Sequence, residues 1–104
     1  MLMTTSDNVA GQEIVESLGL VTANTVRARH VGRDVLAGLK NLIGGEIVSY
    51  RQLLNKARAE ALQRLEQEAE QLGADSVVAV RISAVSVAGG AAEILAYGTA
   101  VKLR

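Results

Sequence analysis

The chain has no cysteine, tryptophan or phenylalanine, one histidine and two aromatic residues, Tyr50 and Tyr97. Without cysteine there can be no disulfide and no thiolate metal ligand. With so few aromatics, the core of this 104-residue chain must be built from Val, Leu, Ile and Ala. One-signed charge is also missing, because eleven basic residues balance eleven acidic ones. That balance removes any global pull toward nucleic acid or an anionic membrane, and no aromatic platform is available to stack bases. No window approaches eighteen consecutive apolar residues, so no membrane-spanning helix is expected. The opening "MLMTTSDNVAGQEIV" has neither a basic region nor a continuous apolar run, so no signal peptide is expected and the cytoplasm is the expected location. The apolar fraction of 49% supports a folded chain, and the length suits a single domain over residues 1–104.

The elements follow from periodicity. "MLMTTS" reads as a short strand. From Gln12 to His30 the β-branched and large aliphatic residues read as one long strand, with Gly19 and Ala23–Asn24 permitting a bend or bulge. "GRDVLAGLKNLIGG" has helical spacing, with Asp34 at its start and Gly44–Gly45 at its stop. A long helix is expected to begin at Ser49, where "SYRQ" has the form of a capping box, and to end at Gly73. Its stripe is Leu54, Ala57, Ala61, Leu65, Ala69 and Leu72, and Glu60–Arg64 has the favourable i,i+4 order. The rod would be roughly 35 Å long.

Two closing strands follow, joined by a turn at Gly89–Gly90 and expected to form an antiparallel hairpin. In the first, simple alternation puts Val77, Ala79 and Val85 on one face and Val78, Val80, Ile82 and Ala84 on the other. In the second, Ile94, Ala96 and Ala100 oppose Leu95, Tyr97, Val101 and Leu103.

The order makes an α+β domain: an antiparallel sheet with one long and one short helix. One helix covers one sheet face, yet these strands are apolar on both. Exposing ~400–600 Å² of aliphatic surface would forgo about 10–15 kcal/mol. Burial against further copies of the chain is therefore expected; the alternative is two helices clamping the sheet from opposite sides.

"LGLVTANTV", "RDVLAGLKNLIGGEIVSYRQLLNKARAEAL", "AEQLGADSVVAVRI" and "EILAYGTAVKL" together resemble the YbjQ-like family of small bacterial and archaeal proteins, sometimes labelled heavy-metal-binding. The resemblance spans nearly the whole chain. It implies a dodecin-like β-β-α-β-β subunit assembled into a ring, with a pentamer expected. It implies no established reaction.

The candidate site residues are few. Arg27, Arg29, His30 and Arg33 form the densest basic cluster, beside a helix start whose free amides can receive an anion. With Tyr97 they are the candidate ligand-binding residues for a small anion held between subunits. A solvated strand end or inter-subunit salt bridges would account for the same cluster more plainly. A metal site would have to combine His30 with carboxylates such as Asp75 or Glu93 across subunits, although zinc and softer metals ordinarily take several His or Cys ligands. Asp75 is also placed to cap backbone amides at a turn. Tyr50 and Tyr97 serve equally as packing residues with polar tips. With one histidine, no cysteine and no Gly-rich phosphate loop, the expected function is non-enzymatic, with other copies of the chain as partners.

Overall fold

The computed structural model describes residues 1–27, 45–87 and 91–104. The elements are β1 (Leu2–Met3), β2 (Ile14–Arg27), α1 (Gly45–Gln71), β3 (Ser76–Val87) and β4 (Ala91–Leu103). The strand order across the sheet is β1-β3-β4-β2. The β-β-α-β-β succession matches the expectation, and β3 and β4 form the anticipated antiparallel hairpin. The sheet as a whole is mixed rather than antiparallel, because β1 runs parallel to β3, with Leu2 opposite Ser76. The expected short helix and the Gly89–Gly90 turn lie outside the described residues.

α1 forms because its buried positions recur every four residues. Ala57, Ala61, Leu65 and Ala69 are all fully buried against Val21, Ala23, Val77, Val80, Ile94, Ala96 and Ala100. Three of the four contact residues are alanines, which add no side-chain bulk and bring the helix close to the strands. The helix begins at Gly45, so Ser49 stands inside it and "SYRQ" is not its start. It ends as expected at Gly73, whose φ of 79° is left-handed. The Gly73 amide donates to the Glu70 carbonyl at 2.9 Å and the Ala74 amide to the Ala69 carbonyl at 3.0 Å. These two bonds are the Schellman closure, which satisfies carbonyls that the last turn would otherwise leave open. The Glu60–Arg64 pair is present at 2.6 Å, and Arg64 also donates to the Asn24 carbonyl of β2 at 3.1 Å. In the core, the Thr25 hydroxyl donates to the Ala57 carbonyl at 2.9 Å, pinning helix to strand.

β3 does not alternate simply. Ala79 has a φ of 53°, and the pairing with β4 jumps from Val78–Thr99 to Arg81–Tyr97. This is a β-bulge with one extra residue. It shifts the phase of the strand, so Val80 joins Val77 on the helix side, with Ile82 and Ala84 in step. Arg81, Ser83 and Val85 take the opposite side with Val78. The expected alternation therefore fails across the bulge: Val77 and Val85, expected on one face, lie on opposite faces, and Val78 is parted from Val80, Ile82 and Ala84.

The amino-terminal segment clamps the bulge. The Ala79 amide donates to the Ser6 carbonyl at 2.8 Å and the Val80 amide to the Thr4 carbonyl at 2.9 Å. The Arg81 guanidinium donates to the Thr5 carbonyl at 2.9 Å. Gly98 faces the bulge from β4, and a Cβ there would lie 2.8 Å from Val77 Cγ1 and 3.0 Å from the Val78 carbonyl oxygen. β3 and β4 thus approach each other closely at Gly98. A second irregularity sits in β2, where the register with β4 shifts between Ser17 and Gly19 and Gly19 has a φ of 110°.

Candidate functional site

The register fixes what lies on the sheet face turned away from α1. Row by row from β3 through β4 to β2, the residues are Val78–Thr99–Leu20, Arg81–Tyr97–Thr22, Ser83–Leu95–Asn24 and Val85–Glu93–Val26. Val9 folds over one end, where it buries Val78 and Val101 with help from Ile14 and Leu103. Beyond that end the face is open among the described residues. Leu20 is 70% exposed, Val26 63%, Val85 54% and Leu95 37%, and Tyr97 is 38% exposed. Polar residues are interleaved, so the face is amphipathic rather than the uniformly aliphatic surface expected from composition. The exposed fractions of the four aliphatics amount to a little over two whole side chains. At ~1.5–3 kcal/mol for each side chain fully buried, covering them is worth about 3–7 kcal/mol per subunit.

The sheet is also open at its borders. β2 is an edge strand of fourteen residues with no partner on its outer side among the described residues. On the opposite border, β1 and the Thr4–Ser6 segment cover β3 only as far as Val80. Arg81 to Val87 have no outer partner strand among the described residues. Beside the β2 border lies a shallow groove lined by Thr22, Asn24, Arg64, Gln67, Glu68 and Gln71. The described residues have a radius of gyration of 17.3 Å and extents of 55 × 22 × 17 Å. A compact domain of this length has about 13 Å.

Of the candidate ligand-binding residues, Tyr97 lies at the centre of the open face, between Arg81 and Thr22. Arg27 ends β2 opposite Ala92. Arg29, His30 and Arg33 lie outside the described residues. The two carboxylates of the candidate metal set do not meet within one chain. Asp75 lies beside the Ser76–Val101 pair and Glu93 opposite Val85. That is eight residues away along β4, about 27 Å. The Asp75 carboxylate accepts the Leu103 amide at 2.9 Å, the capping role open to it from the sequence. Among the described residues no group of three or more His, Cys, Asp or Glu is placed to hold a metal ion. The donor set of the described residues thus does not fit a thiophilic metal. The hydroxyl pairs Tyr50–Ser86 and Thr4–Ser6 join two hydroxyls and include no base to activate either. No helix among the described residues is long and apolar enough to cross a membrane.

Sequence reasoning missed the open edges and Arg81. The edges depend on strand order, which hydrophobic spacing does not encode. Nothing in the spacing singles out Arg81, and the bulge brings it beside Tyr97.

A small α+β chain with one long helix laid on one face of a mixed four-stranded sheet is the class these features define. A family model described as "Putative heavy-metal-binding" matches residues 1–104, and the chain belongs to that YbjQ family. A UPF0145 protein of Archaeoglobus fulgidus is 56% identical over 104 residues, covering all of this chain and 96% of the relative. One from Halorubrum lacusprofundi is 55% identical with full coverage of both chains. One from Thermosipho africanus is 52% identical, covering all of this chain and 96% of the relative. Among solved structures, a DUF74-family protein of unknown function from Pediococcus pentosaceus matches with a TM-score of 0.66 at 19% identity. That match covers all of this chain and 98% of the other, and it shows the fold. The family description names a class of ligand and no reaction.

Proposed function

We propose that the chain is a non-enzymatic subunit of a homo-oligomeric ring, five copies being the expected number, which takes up a small anionic ligand between subunits. The observation that carries the assembly is the open sheet face around Tyr97, with Leu20, Val26, Val85 and Leu95 exposed in a single chain. Soluble monomers seldom leave such side chains together on one face, and a second copy of the same chain supplies matching surface. The extended shape of the described residues supports the same reading. The anion reading rests on the basic run at Arg27, Arg29, His30 and Arg33, which ring symmetry would repeat around an axis.

Native mass spectrometry of protein purified without added metal tests both parts, since it reports stoichiometry and any copurified small molecule. A single oligomeric mass is expected, and a monomer at micromolar concentration overturns the assembly. For the ligand, phosphate binding by calorimetry is expected to weaken at least tenfold in Arg27→Ala/Arg29→Ala. Equal affinity, or no binding by either protein, removes the anion reading.

A further inference from the structure

We infer that neighbouring subunits join edge to edge: the outer border of β2 in one copy pairs, in parallel, with the Arg81–Val87 stretch of β3 in the next. The inference rests on the assembly proposed above and specifies its joint.

Among the described residues the backbone on both borders is open in the right alternation. Arg64 takes the Asn24 carbonyl from the helix, so that carbonyl faces away from β4. Antiparallel ladders turn alternate residues inward and outward, so Leu20, Thr22 and Val26 present their amides and carbonyls outward with Asn24. On β3 the outward set follows from Val80, whose amide donates to Thr4 on the outer side. Ile82, Ala84 and Ser86 share its phase. In a parallel pair, an outward residue on one strand bonds the two residues flanking its opposite number on the other. Thr22 then bonds Ile82 and Ala84 and stands opposite Ser83. Thr22 and Ser83 lie on the same sheet face, so the open face runs on unbroken from one copy to the next.

The occupant is a second copy in head-to-tail order rather than a two-fold partner, for a reason visible in the helix. α1 packs mainly against β2 and β4 and barely over β3. Ile82, on the helix side of β3, is left 43% exposed, and Ala84 is exposed with it. A β2–β2 dimer would leave both of those residues and the β3 border bare. Joining β2 to the next copy's β3 sets the first copy's helix beside them and uses both borders at once. Unequal surfaces that meet head to tail generate a ring when the rotation closes. Strand addition at an exposed edge supplies main-chain hydrogen bonds as the source of affinity.

The chain has no native cysteine, so introduced thiols report contacts directly. Four double variants suffice: Leu20→Cys or Thr22→Cys, each combined with Ser83→Cys or Val85→Cys. Within one chain β4 separates the two thiols by at least two strand spacings, about 10 Å or more, beyond the reach of a disulfide; across the joint Thr22 and Ser83 are about 5 Å apart, within it, and the other three combinations lie two or four residues out of register. After oxidation, a non-reducing denaturing gel is expected to show a ladder of covalent multimers for at least one double variant, while each single variant runs as a monomer. A covalent dimer from Thr22→Cys alone overturns the inference in favour of two-fold pairing. Absence of any ladder, with the oligomer intact by native mass spectrometry, overturns the edge joint and leaves the assembly standing. Monomeric wild-type protein overturns both.

Discussion

Replacing Gly98 with alanine tests the packing at the bulge. The added Cβ would lie 2.8 Å from Val77 Cγ1, 3.0 Å from the Val78 carbonyl oxygen and 3.2 Å from Val80 Cγ2. The two valine methyls belong to fully or nearly fully buried side chains, and the carbonyl belongs to the strand across the pair. None of these can swing aside like the end of a flexible side chain. Alanine in place of glycine would ordinarily stabilise by about 0.4–1 kcal/mol through the unfolded chain. Overpacking of a filled core costs about 1–3 kcal/mol. The contact distances place this site toward the upper part of that range, so a net loss of about 1–2 kcal/mol is expected. For a chain of this size that lowers Tm by roughly 4–16 °C. The assay is thermal and urea denaturation followed by circular dichroism at matched protein concentration, because assembly makes apparent stability concentration-dependent. A Tm equal to or above wild type would refute the argument that β3 and β4 touch too closely here for a methyl group.

Four further outcomes are expected. Leu65→Ala, at the largest fully buried side chain of α1 among the described residues, costs about 2–5 kcal/mol in denaturant unfolding. Thr25→Val keeps the shape but loses the bond to the Ala57 carbonyl; it costs about 0.5–1.5 kcal/mol by the same assay. Ala79→Val forces a β-branched side chain to a positive φ and lowers stability by about 1–3 kcal/mol, whereas Ala79→Gly is neutral or mildly stabilising; the reverse order in urea midpoints would contradict the bulge. Glu60→Gln changes the unfolding free energy in urea by less than about 1 kcal/mol, because its partner Arg64 is half exposed and the pair remains within reach of water.

The sequence carried the helix and its stop in plain view. Ala57, Ala61, Leu65 and Ala69 recur at the helical interval, and a glycine follows where the last turn must close. The strands and the β3–β4 hairpin were legible for the same reason, since local spacing determines local structure. Two features were not. β1 pairs with β3 across 74 residues of chain, and two residues of strand carry too little pattern to announce a parallel partner. The bulge rests on Ala79, a residue with no preference for positive φ, and is held by hydrogen bonds to the Thr4 and Ser6 carbonyls that no local rule anticipates. The open face was foreseen in position but not in character. Val9 covers part of it, and Arg81, Tyr97 and Glu93 interrupt the rest.

The single extra residue in β3 makes this strand read in two frames, one before Ala79 and another after it. Deleting Ala79 would therefore be a non-local edit: every side chain from Val80 to Val85 would trade places front to back. An arginine would then be turned toward the alanine-lined contact with the helix, and Ile82 would be pushed out among the polar rows. Loss of one residue elsewhere in a loop is commonly tolerated; here it would turn half a strand inside out.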